Sequence, residues 1–193
     1  MKALLLMASS SLELPTPAPN PSATRLVIWL AVRFGVAAGL VCALWMVGLQ
    51  LTGNNGFGPK QILAQLLVPL VALASEWFLR RQLKPEKPGL GRSLGVGGLT
   101  VLIAAVISAA SVLALAYGAG EPALARNRAE ELEIVRAQQR ENPKVKHSER
   151  EIAQQMQNVV ANSTATGLAV NNFTMVLLLG LVLGLPGGIF FRE

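Results

Sequence analysis

Four long apolar stretches divide the chain, and the charged side chains gather between them. The first, LVIWLAVRFGVAAGLVCALWMVGLQL from Leu26 to Leu51, is interrupted only by Arg33. From Phe34 to Leu51 it would form about 27 Å of helix, close to the roughly 30 Å hydrocarbon thickness of a bilayer. Residues 26–33 are then expected to make a membrane-entry turn, with Arg33 snorkelling to the headgroups. The second stretch, Gln61 to Leu79, contains Pro69, which a spanning helix tolerates when neighbouring helices absorb the kink. The third runs from Leu94 to Gly118 and the fourth from Gly167 to Phe191. None alternates with period two, so none reads as a barrel strand.

The pattern predicts an all-α integral membrane protein: four transmembrane helices with a helical extracytoplasmic insert between spans three and four. The spans fall at about 26–51, 61–79, 94–118 and 167–191, within a membrane domain covering 25–193, and the insert covers 120–166. Ahead of them, MKALLLMASS carries too short an apolar run for a signal peptide. The Pro- and Ser-rich segment that follows reads as disordered, making residues 1–24 a cytoplasmic tail.

The insert is unlike the rest of the chain. Between Glu121 and Gln157 lie seven of the eleven acidic and seven of the seventeen basic residues. Pro122 suits the first turn of a helix, and Asn142-Pro143 ends it. Arg126–Glu130, Arg128–Glu131 and Glu133–Arg136 stand at ion-pair spacing, while Leu124, Leu132 and Val135 make only a thin apolar stripe. This first half is therefore expected to be solvated. A second helix begins at Ser148, where Ser148 and Glu151 match a capping box. Ile152, Met156, Val159 and Val160 give it an apolar face at helical spacing, a candidate docking face for a partner.

Composition sharpens this reading. The chain is 52% hydrophobic and 15% charged, with a mean hydropathy of +0.46, against roughly 25% charged in soluble domains. The net charge of +6 does not indicate nucleic acid, because the basic residues flank apolar runs instead of forming one stripe. They set orientation. The loop after span two holds Arg80, Arg81, Lys84, Lys87 and Arg92; the loop before it holds only Lys60. The positive-inside rule then puts both termini in the cytoplasm of a bacterial inner membrane. Cys42 is the sole cysteine and His147 the sole histidine, so neither a disulfide nor a metal centre is expected, and no cofactor is implied.

Four placements together resemble the bacterial membrane-protein family known as domain-of-unknown-function family 4199, found mainly in Bacteroidetes. They are the RFG entry at residues 33–35, the EWFLRR end of span two, the GRSLGVGG entry to span three, and a Glu-rich helix pair before a last apolar span. The resemblance covers roughly Arg25 to Arg192. It implies this four-span topology and carries no activity and no catalytic residues.

The candidate functional residues are few. Glu76 is the only acid within an apolar run. An intramembrane carboxylate can relay protons or cations, but Arg80 at i+4 makes an interfacial ion pair the expected role. Asn171 and Asn172 are expected to hydrogen-bond between helices. Gly180, Gly184 and Gly188 in span four, and Gly35, Gly39 and Ala43 in span one, put small residues on one face, as do Gly97, Ala104, Ser108 and Ser111 in span three. Such faces allow close helix contact, within one chain or between copies in a homo-oligomer. No nucleotide-binding, hydrolase or metalloprotease motif occurs. The reading is a non-enzymatic accessory or scaffolding subunit in contact with the bilayer and a membrane-protein partner. The alternative is a small transporter or channel component using Glu76, Asn171 and Asn172.

Overall fold

A computed structural model of the chain describes residues 21–85, 87–141 and 149–190. The order is α1 (Pro21–Leu51), a 3-10 turn (Pro59–Gln61), α2 (Ile62–Gln65), α3 (Leu67–Leu83), α4 (Gly89–Glu141), α5 (Glu149–Asn162) and α6 (Ala165–Phe190). No strand occurs among the described residues. Four segments are long and apolar enough to cross a membrane: Ser22–Leu51, Pro59–Leu83, Gly89–Gln138 and Ala165–Phe190.

The first segment departs from the sequence expectation. Residues 21–24 are helical and not part of a disordered tail, and residues 26–33 continue the same helix with no entry turn. The stretch contains no proline after Pro21 to stop it. The guanidinium of Arg33 lies 5.3 Å from the Trp29 ring one turn earlier, so it lies along the helix flank. The remaining residues of the expected tail, 1–20, lie outside the described residues.

Span two is broken once, at Leu66, between α2 and α3. Pro69 has no N–H to offer the Gln65 carbonyl four residues back, which accounts for the interruption. In α4 the break is sharper. Gly120 has φ 72° and ψ −174°, a region open essentially to glycine alone. It divides α4 into a spanning part and an arm that starts at Glu121, with Pro122 in its first turn as the sequence predicts. The arm ends at Glu141, just before Asn142-Pro143. Ser148, one half of the expected capping box, lies outside the described residues.

α4 is the centre of the bundle. It packs against α1, α3 and α6, while α1 and α6 make no contact with each other among the described residues. Three apolar layers fill the interior. Val27, Leu30, Leu79 and Val96 form the layer at the basic end. Cys42, Val68, Ala72, Val101, Ala104 and Val176 form the middle, and Met46, Phe57, Val112, Ala116 and Leu168 the layer beside the insert. Large apolar side chains also point outward, such as Leu44, 70% exposed, and Val182, 63% exposed. On four long apolar helices this is the arrangement expected of lipid-facing surface.

The small residues set the spacing of that bundle. A Cβ at Gly35 would stand 2.8 Å from the Thr100 carbonyl oxygen and from Ile103 Cβ, and one at Gly39 would stand 2.7 Å from Ile107 Cβ. A Cβ at Gly180 would overlap Val101, and one at Gly188 would press on Leu94. Gly184 is looser, 3.8 Å from Ala72. The glycine faces therefore bring α1 and α6 onto α3 and α4 of the same chain, which is how helices associate without a hydrophobic drive in lipid. Gly35→Ala is expected to cost about 1–3 kcal/mol by overpacking, lowering the thermal midpoint of the detergent-solubilised protein. Gly48→Ala, with nothing within 4 Å of its added Cβ, should leave the midpoint unchanged or raise it.

Candidate functional site: a buried carboxyl and an amide seam

Near the basic end, Glu76 turns inward between helices. It is 1% exposed, and its Oε2 has no hydrogen-bond partner. The expected ion pair with Arg80 is absent: the side-chain ion pairs among the described residues are Arg126–Glu130 and Arg128–Glu121. Glycines explain the difference. An added Cβ at Gly97 of α4 would overlap Glu76 Oε1, and one at Gly187 of α6 would stand 2.7 Å from Oε2. With no side chains there, two backbones close over the carboxyl and leave it room inside the bundle. Beside it is a cavity of about 20 Å³, lined by Glu76, Leu94, Gly97, Val101, Gly180 and Gly184 among others. Ser93, one turn before Gly97 on α4, is also buried with its hydroxyl unpartnered.

Just beyond Glu76, Ser75 donates to the Ala72 carbonyl at 2.6 Å, and Thr100 of α4 lies 3.2 Å from Ser75 Oγ. Buried hydroxyls satisfied on their own or the adjacent helix are the usual economy of a membrane interior.

At the other end of the bundle, three polar side chains form a seam across three segments. Ser108 Oγ of α4 donates to Asn172 Oδ1 of α6 at 2.7 Å. Asn172 Nδ2 donates to Gln61 Oε1 at 2.9 Å, and Gln61 Nε2 donates to the Gly56 carbonyl at 2.7 Å. Asn172 is buried and holds the interhelical role that the sequence suggests. Asn171 does not share it. It is exposed and lines a cavity of about 370 Å³ together with Gln61, Gln65 and Glu131. Gln61 and Gln65 stand outside the candidate residues of the sequence, although two amides spaced i,i+4 at the start of an apolar run are a visible signal.

The two polar regions do not meet. From Thr100, which belongs to the first polar region, to Ser108 of the seam is about 12 Å along α4. Between them stand Val68, Ala72, Val101, Ala104 and Val176, each 1% exposed or less. The interior there is a closed apolar plug.

The insert is tied down more firmly than its charges suggest. Asn55, in the turn after α1, donates to Asn127 Oδ1 at 2.9 Å and to Glu130 Oε2 at 2.8 Å. Asn127 is fully buried and donates to Glu131 Oε1 at 2.9 Å; Arg126 Nη2 donates to the Gly53 carbonyl at 2.8 Å. The first half of the charged block is thus docked on the loop between spans one and two, not merely solvated. Arg126–Glu130 pairs as the spacing predicts, at 3.1 Å, but Arg128 turns to Glu121 instead of Glu131. Glu131 instead accepts from Asn127 and lies 3.2 Å from Ser163 Oγ. On α5, Ile152, Met156 and Val159 are half-buried and Val160 is 48% exposed. Val159 faces a cavity shared with Ile134 and Val135 of the arm, so part of the expected docking face is turned toward its own chain.

The sequence has a family match. Residues 33–193 fit the family described as Protein of unknown function (DUF4199). The chain belongs to the DUF4199 family. Neither curated proteins nor solved structures give a match to it. The matched region takes in all of the DUF4199 protein from Arg33 on α1 onward, and so includes Glu76, the seam and the insert. The four long apolar helices make it a multi-pass membrane protein. In this DUF4199 chain, Asn172→Ala should remove two hydrogen bonds and strand Gln61 and Ser108, costing about 1–2 kcal/mol at roughly 0.6–1 kcal/mol per interhelical bond. Asn171→Ala should stay within about 0.5 kcal/mol of wild type. Thermal unfolding of the two variants in one detergent would compare them.

Proposed function

We propose that this protein is a non-enzymatic accessory or scaffolding subunit of a bacterial inner membrane. In this reading both termini are cytoplasmic and the 120–166 insert stands on the opposite side. The observation that carries it is the apolar plug at Val68, Ala72, Val101, Ala104 and Val176, which separates the two polar ends of the bundle. A subunit that conducts or transports needs a polar or open route past that layer. A subunit that holds others in place needs a rigid, sealed body with a shaped surface. The basic residues at Arg80, Arg81, Lys84, Lys87 and Arg92 support the orientation. The half-exposed apolar side of α5 supports a partner at the insert, through Val160 above all.

Transport is the second reading, and one observation favours it: the unpartnered oxygen of Glu76 inside the bundle. Vesicles containing the purified protein separate the two. A scaffold leaves the proton and potassium permeability of the vesicle unchanged. A transporter raises it, and Glu76→Gln abolishes the rise. Orientation is tested in a Cys42→Ala background. A membrane-impermeant maleimide applied to whole cells with a permeabilised outer membrane should label Gln138→Cys and leave Gln82→Cys unlabelled. The reverse labelling would overturn the orientation. A photo-crosslinking residue at position 160 should yield one discrete adduct in native membranes; the same variant reporting only lipid would remove the partner from this reading.

A further inference from the structure

A carboxylate with an unpaired oxygen cannot sit bare inside a membrane bundle. The effective cost of an uncompensated buried charge is several kcal/mol, so intramembrane acids are neutralised or paired. The charged side chains at that end of the packed elements are Arg25 and Arg33 on α1, Arg80 and Arg81 on α3, and Arg92 on α4. None forms an ion pair with Glu76. Arg33 and Arg81 are stacked on Trp29 and Trp77, at 5.3 and 5.6 Å. The described part of α6 has no titratable side chain at all. Neutralisation must therefore come from something that enters the pocket.

The donor set decides what that is. Hard metal cations gather about six or more oxygens. The side chains around the 20 Å³ cavity offer the one carboxyl and otherwise leucine, valine and glycine, and the helical carbonyls are occupied by the backbone ladder. A proton needs only one oxygen. The cavity has room to admit about one water in passing.

We propose that the Glu76 pocket is a binding site for a single proton, taken up and released at the basic end of the bundle. On release the Oε2–H bond breaks, its electron pair stays on the carboxylate, and the proton passes to a water in the cavity and then to solvent. Glu76 lies about 6 Å from Arg80 along the helix axis, whereas the plug closes the way to the other side. Loss of the proton leaves a carboxylate against the Gly97 and Gly187 backbones. The charged state therefore favours movement of Arg80 inward or a parting of α3 from α6 at Gly187. The one-sidedness rests on the sealed-core reading above; the proton site itself does not.

Infrared spectroscopy of the full-length protein in uniformly oriented vesicles tests both. At neutral pH wild type should show the carbonyl band of a protonated carboxylic acid, shifted in D2O and absent from Glu76→Gln. Raising the pH at the basic end should abolish the band; raising it only at the insert end should not. A wild-type spectrum without the band, or with a band that survives in Glu76→Gln, overturns the proton site. A band that responds from the insert end overturns one-sided access and the sealed core with it. Should Glu76→Gln fail to fold, wild type made with carboxyl-13C glutamate gives the same decision. Glu76 is the only buried glutamate among the described residues, and a labelled wild type with no isotope-shifted acid band removes the site.

Discussion

Everything in this bundle depends on how near other backbones can come to α4. One helix touches α1, α3 and α6 at once, and it does so where side chains are missing: Gly35 and Gly39 against it from α1, Gly180 and Gly188 from α6, and Gly97 within it. In lipid no water is expelled when helices meet, so contact area and close approach supply the attraction. The same absence of side chains makes the Glu76 pocket. Where Gly97 and Gly187 leave their Cβ positions empty, a carboxyl fits into the core. Stability and the one unusual buried group thus have a common cause.

The four helices, their order and the break before Pro122 were all legible in the sequence, because each is a local matter; the expected stop at Asn142-Pro143 falls outside the described residues. Hydropathy sets the spans, and proline and glycine set the breaks. The small-residue faces were legible too, since a four-residue period is visible without partners. What could not be read was which neighbour each face meets. Gly187, one place away from the repeat at 180, 184 and 188, is the glycine that faces Glu76 Oε2.

Side-chain pairing failed for a related reason. Arg80 at i+4 was the best partner for Glu76 by spacing alone, yet the carboxyl faces the space that two distant helices leave open. Arg128 likewise turned from Glu131 to Glu121, while Glu131 went to Asn127 and Ser163. The amide seam joins Gln61, Ser108 and Asn172, residues as much as 111 positions apart, and no local spacing rule reaches that far. Charge in the insert was easy to see and suggested solvent; instead Arg126 and Glu130, together with uncharged Asn127, dock the segment on Gly53 and Asn55.

Gly120 gives the arm a mechanical character. Because the helix is interrupted there, the direction of residues 121–141 is not dictated by the spanning part of α4. It is set by the turn after α1, where one Asn55 amide group holds both Asn127 and Glu130 and the Gly53 carbonyl holds Arg126. Glycine is the joint and asparagine the strut. A pull on the arm from outside would load the turn between spans one and two before it reached the helix core.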